Sequence, residues 1–326
     1  MPQNDLASNR RSWLRVLGLV VRVALLLGLA WFYFLGATEH ARVVNLSRAR
    51  ADQSGYQWDA VAVYKNWHGQ NPPMLIGERN RMPVYAAFLA LFYDPSLSPE
   101  EFFEVGKTWN IRLSLLLLAL LGVIFWRHLP PLVSTNLTLF VAFGYFVFKA
   151  GYMQAELLFY FLFFITFLAC CYLLKRRGPA ASVGLGILAG LLAALAHLTK
   201  AAMLPLVTIF LAVYGVREVA LLVRSWRQHE TASRRDALTR FAWRAAAAAL
   251  VAACFLGALY PYISTSKRVF GHYFYNVNTT FYVWYDNWPL ASVGTYSHGD
   301  GVGWPKMLPG EIPSMRKYWR RHTVRQ

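Results

Sequence analysis

Trp13–Gly36 reads WLRVLGLVVRVALLLGLAWFYFLG, and the length of this apolar run decides the fold. About 20 apolar residues in a helix cross the hydrocarbon core of a bilayer. A secretory signal has a shorter apolar region, of about 7–15 residues. The run therefore reads as an uncleaved anchor, interrupted only by Arg15 and Arg22. Residues 1–12 precede it, carry Arg10 and Arg11, and read as a cytoplasmic N-terminus.

Further runs repeat the pattern at Ile111–Trp126, Leu132–Phe148, Glu156–Leu174, Ala181–Leu198, Ala201–Val223 and Phe241–Ile263. The composition agrees: of 326 residues, 56% are hydrophobic and only 15% charged, where soluble domains are about a quarter charged. The expected fold is an all-α polytopic membrane protein, a bundle of about seven transmembrane helices spanning 13–263. A large loop, 37–110, follows the first span, and an aromatic and polar tail, 264–326, follows the last. Within the loop, Pro83–Tyr93 is too short to cross and reads as interfacial. Pro99–Trp109 reads as a helix start capped by Ser98, with Glu100 and Glu101 in its first turn.

The net charge of +17 would suggest nucleic acid in a soluble protein. Here the basic residues flank the spans, so topology accounts for them and no nucleic-acid partner is expected. With the spans alternating, the N-terminal arginines, Arg127, the Lys175–Arg177 cluster and the arginines between 224 and 240 share one side, the cytoplasm. The 37–110 loop, the turns at Lys149–Ala155 and Thr199–Lys200, and the tail then share the outer side of a plasma (inner) membrane. Cys170, Cys171 and Cys254 lie in apolar runs and read as packing residues.

The outer loop holds an unusual mixture. Asp52–Leu91 reads DQSGYQWDAVAVYKNWHG, then QNPPMLIGERNRMPVY, then AAFLAL. Topology puts Asp52, Asp59, Arg79, Arg81, Glu156 and Lys200 at one membrane depth. A carboxylate there can take a proton from an attacking hydroxyl. Cationic side chains can hold a phosphate leaving group. Each residue also has a plainer reading. Asp52 suits a helix cap or a solvated loop, Asp59 a surface acid, and Glu156 a helix start. Arg79 and Arg81 suit lipid headgroups, and Lys200 suits snorkelling to the interface.

The order of these features resembles the GT-C superfamily of integral membrane glycosyltransferases, in its protein O-mannosyltransferase and aminoarabinose-transferase-like branch. The resemblance rests on Ala51–Tyr56 (ADQSGY), Asn80–Tyr85 (NRMPVY), Gln154–Phe159 (QAELLF) and Gly190–Lys200, which ends in His-Leu-Thr-Lys. It implies Asp52 as the general base, and Arg81 and Lys200 as cations near the donor phosphate; Arg79, from the reading of the outer-face charges, is a further candidate for that phosphate. It implies Glu156 as an acid lining the cavity; Asp59 is a second candidate acid, and Tyr56 and Tyr85 are candidate acceptor contacts. The implied reaction is inverting transfer of a sugar from a polyprenyl-phosphate donor to an extracytoplasmic glycan, lipid or protein. No cofactor beyond that donor is implied, and a divalent metal has no support in the spacing of ligands. Such enzymes have more spans, so the resemblance also suggests a chain incomplete at its C-terminus. Two other functions share the pattern: a carrier or flippase for a lipid-linked solute, and a non-catalytic membrane assembly subunit.

In the tail, Tyr273–Trp288 is densely aromatic and Gly294–Pro305 is rich in glycine. His272, Asp286, His298 and Asp300 are conceivable metal ligands, but their spacing matches no standard site. The readings for this tail are an acceptor-binding loop or a structural lid.

Overall fold

A computed structural model describes residues 3–70, 81–175, 178–227, 231–276, 281–287, 289–291 and 313–322. The elements are α1 (Gln3–Val44), α2 (Gln53–Trp67), α3 (Pro83–Ala90), α4 (Pro99–His128), α5 (Pro131–Val141) with a π-helical turn at Ala142–Phe146, and α6 (Val147–Ala150). They continue with α7 (Glu156–Lys175), α8 (Pro179–Thr199), α9 (Leu204–Arg227) and α10 (Thr231–Phe270). A 3-10 turn at Tyr282–Trp284 and α11 (Met315–Arg321) complete the described chain. Among the described residues there is no β-strand, and seven helical segments are long and apolar enough to cross a membrane. The chain is an all-α polytopic membrane protein.

The boundaries differ from expectation where charge is neutralised locally. The apolar part of α1 runs to Val44, past Gly36. Glu39 and Arg42 extend it because they pair with each other, one turn apart, at 2.9 Å. The capped start at Ser98 and the second span are one helix, α4, of 30 residues. Its N-terminus is a full capping box: Ser98 Oγ accepts from the Glu101 amide, and the Ser98 amide donates to Glu101 Oε2. The last span continues as helix to Phe270, beyond Ile263, with Pro261 inside it.

The chain divides into two compact units. The first comprises Met1–Gln57 and Phe92–Leu158. In it α4 packs on α1 and α5, and α6 packs on α1. Gly151 lets the turn after α6 meet α1: a Cβ there would lie 2.5 Å from Ala41 Cβ.

The second unit comprises Trp58–Leu91 and Phe159–Gln326. Its centre is the pair α8 and α10, with α9 packed on α10 and α3 on α8. Apolar side chains are no scarcer in lipid than in the bundle, so close backbone approach carries the packing. Gly186 and Gly190 supply it. A Cβ on Gly186 would lie 2.7 Å from Ala247 O, and one on Gly190 would lie 2.6 Å from Val251 O. Both numbers rise together, so α8 and α10 run parallel with a fixed register. Ala169, Leu173, Phe210 and Tyr214 from α7 and α9 close the core around this contact.

Gly190→Leu should push α8 from α10 and destabilise the protein by about 1–3 kcal/mol or more, lowering the melting temperature in detergent. Gly184→Leu, whose Cβ would meet nothing within 4 Å, should leave it nearly unchanged.

Candidate functional site

Two amide side chains build the loop that carries Asp52. Asn45 follows α1, and Gln53 begins α2; neither has any exposed surface. Asn45 Nδ2 donates to Gln53 Oε1 at 2.7 Å, and Gln53 Nε2 donates back to Asn45 Oδ1 at 2.9 Å. Asn45 Nδ2 also reaches Gly151 O at 2.8 Å, and the Met153 amide donates to Gln53 Oε1 at 2.9 Å. Buried amides are stable only when satisfied, and these two satisfy each other and the 151–153 backbone. Lys107 and Asn110 of α4 extend the network. Lys107 Nζ lies 2.7 Å from Glu104 Oε1 and donates to Asn45 O, and Asn110 Nδ2 donates to Ala150 O and Tyr152 O.

The closed loop forces the residues ahead of α2 into left-handed backbone. Ala51 has φ 53° and Asp52 φ 65°, both positive without being glycine. Left-handed backbone costs roughly 1–2 kcal/mol at Ala51 and less at Asp52, since Asp and Asn visit this region more readily than other non-glycine residues. Gln154 Nε2 braces the strained pair by donating to Ala51 O at 2.6 Å. The Asp52 carbonyl accepts from the Tyr56 amide, so α2 starts directly from it. Asp52 is exposed, and among the described residues its carboxylate has no hydrogen bond or ion pair. Its left-handed φ is also unlike the extended backbone of an N-cap, so the helix-cap reading does not hold. Glu156 opens α7 two residues after Gln154 and is half-buried. The Gln154–Ala51 bond brings the Asp52 and Glu156 segments to one end of the first unit.

In the second unit, Arg81 Nε donates to Asp59 Oδ2 at 2.9 Å. Asp59 is 5% exposed, so it is not the surface acid that its sequence context suggests: its place on α2 turns it inward. Burial pushes its carboxyl above the ordinary range, and the charge and hydrogen bond of Arg81 oppose this without cancelling it. Met82, next to Arg81, meets Tyr262 Oη at 3.3 Å. The α8–α10 register, continued from Gly190 opposite Val251, sets residue 201 level with residue 262. The Arg81–Asp59 pair and Lys200, the C-terminal cap of α8, therefore share one end of the second unit.

The two tyrosines expected at the acceptor are buried. Tyr56 is 7% exposed and Tyr85 not at all. Tyr85 lies on the face of α3 that also buries Ala86 and Leu89, and α3 packs against α8. Arg79 lies outside the described residues, as do His298 and Asp300. Asp286 is 3.0 Å from His322 Nε2. No group of three His, Cys, Asp or Glu side chains poised for a metal occurs among the described residues.

Comparisons with protein-family models, with curated proteins and with solved structures found no match. An exposed carboxylate whose backbone is held on a turn can take a proton from a hydroxyl. The Arg81 guanidinium beside Asp59 is of a type suited to an anion.

Gln53→Leu should strand Asn45 and the Met153 amide, each buried unsatisfied group costing about 1–3 kcal/mol. Hydrogen exchange at Ala51–Tyr56 should rise sharply, and a wild-type exchange pattern would contradict the bracing role. For Asp59 the raised carboxyl gives a definite sign. Folding favours its protonated form, a contribution complete below the ordinary carboxyl range and lost as pH rises through the raised value. The stability of the wild type relative to Asp59→Asn should therefore fall as pH rises from the ordinary value upward, read from thermal unfolding.

Proposed function

We propose that the chain is a membrane glycosyltransferase acting on a polyprenyl-phosphate sugar. The observation that carries this reading is Asp52: exposed, without an internal partner among the described residues, and on left-handed backbone between the buried Asn45–Gln53 pair and the Gln154–Ala51 bond. Strain of this kind persists only where surrounding structure over-determines it, and it concentrates at functional sites. The reaction class comes from the resemblance to GT-C enzymes in the four segments around Asp52, Arg81, Glu156 and Lys200.

In this reading the Asp52 carboxylate takes the proton of the acceptor hydroxyl. The acceptor oxygen attacks the anomeric carbon and inverts it. The bond from that carbon to the phosphate oxygen breaks, and the electron pair leaves with the polyprenyl phosphate. The GT-C resemblance assigns Arg81 and Lys200 to the charge growing on a leaving phosphate; within the second unit, Asp59 holds the Arg81 guanidinium through its Nε. Glu156, in the segment that Gln154 ties to Ala51, supplies a further acid that favours an oxocarbenium-like sugar. The active face is extracytoplasmic, in a plasma membrane whose cytoplasmic side carries the arginine-rich helix ends.

Purified protein in proteoliposomes should transfer sugar from polyprenyl-phosphate donors to simple hydroxyl acceptors. Asp52→Asn preserves the left-handed preference and should cut kcat by roughly 100- to 10,000-fold with little change in donor KM. Undiminished transfer by that variant would remove Asp52 as the base.

A further inference from the structure

A second charged feature lies in the unit that holds α8, α9 and α10, at the end remote from Lys200. A cavity of about 350 Å³ opens between α9 and α10, with Arg217, Glu218, Leu222, Arg240, Phe241 and Arg244 in its wall. Residue 244 precedes residue 262 on α10 by 18 positions, about 27 Å of helix. The cavity is thus separate from the Arg81–Asp59 pair.

Its charge is unbalanced. Glu218 is buried and takes Arg217 Nη1 at 2.9 Å on one oxygen and Arg244 Nη1 at 2.5 Å on the other. The wall holds one carboxylate and three guanidinium groups, leaving two positive charges: three arginines less one glutamate. Arg240 is exposed and enters no ion pair among the described residues. Asp236, one turn earlier on α10, is exposed and enters none either. Glu218 fixes two of the arginines, so their remaining N–H groups are already oriented. Ordered guanidinium forks match phosphate oxygens.

The rest of the wall is mainly apolar, with Leu221, Leu222, Ala237 and Phe241, and its Ser225 hydroxyl already donates to Leu222 O. Trp226 and Trp243 are about half exposed on the same stretches of α9 and α10, and such tryptophans sit at headgroup depth in membranes. A soluble anion has no use for an apolar wall beside the guanidinium groups, whereas a phospholipid sets its phosphate against cations and its chains against leucine. We propose that this cavity binds the phosphate of an anionic membrane lipid, with Arg217, Arg240 and Arg244 as ligands and Glu218 as their positioning residue. The inference is independent of the transferase reading and concerns the opposite, arginine-rich helix ends.

The test is native mass spectrometry and thermal unfolding of the full chain in detergent, titrated with phosphatidylglycerol, phosphatidylcholine or inorganic phosphate. Phosphatidylglycerol should be retained and stabilise the wild type, and phosphatidylcholine should do neither. Arg217→Gln/Arg240→Gln keeps Arg244 on Glu218 and should weaken phosphatidylglycerol binding by about fivefold per arginine removed. Arg240→Gln alone breaks no internal pair and reports the same effect where the double variant folds poorly. Arg268→Gln, at the far end of α10, should bind like the wild type. Equal phosphatidylglycerol affinity in the wild type and the Arg240→Gln variant would overturn the site. Arginine-dependent binding of inorganic phosphate without retention of phosphatidylglycerol would overturn the lipid assignment in favour of a soluble anion.

Discussion

The reciprocal amide pair of Asn45 and Gln53 is the constraint on which the first unit depends. Each side chain offers a donor and an acceptor, and in the absence of water both must be used. Facing one another, they use one of each, and the remainder goes to the backbone of residues 50, 151 and 153. The pair thus ties the end of α1, the start of α2 and the turn after α6 into one junction. Lys107 and Asn110 join it from α4. Helices packed in lipid have little hydrophobic reason to hold one relative position; directional bonds at a buried junction supply that reason.

The strain at Ala51 and Asp52 is a consequence of this junction. The chain leaves α1 at Asn45 and must turn so that Gln53 faces back towards it, within seven intervening residues. Two of these adopt left-handed backbone to complete the turn. The helix then begins at once, which leaves the Asp52 side chain outside both the helix and the network. Stability spent on the turn is recovered in the buried bonds, and the exposed carboxylate is what the turn presents. The second unit solves a different problem: glycines let α8 and α10 touch backbone to backbone, and the buried charges Asp59 and Glu218 each sit against arginine.

The seven spans were legible because each is a long run of one chemical character, and the capping box at Ser98 because its two partners are three residues apart. Asp52, Arg81 and Glu156 were legible as charged residues at the ends of apolar runs. Asn45, Gln53, Lys107 and Asn110 were not, since an amide or a lysine in a polar stretch looks the same whether solvated or buried. Their partners are mostly carbonyl groups 40 to 106 positions away, which carry no sequence signal. The inward turn of Asp59 and the core position of Tyr85 escaped notice for a related reason. α2 and α3 are short, and few turns of helix give too few apolar positions to define a buried face. Glu218 stood inside an apolar run, where its pairing with Arg244 across a 26-residue separation leaves no local trace.

The most direct test of the account is to replace Asp52 with glycine and measure stability and sugar transfer on the same preparation. Glycine accepts the left-handed backbone without penalty, so relief of strain should leave the melting temperature equal or higher, by up to about 1 kcal/mol in stability, while transfer disappears. A variant that melts lower would mean the Asp52 side chain holds the turn together, and a variant that still transfers sugar would mean the turn presents nothing the reaction needs.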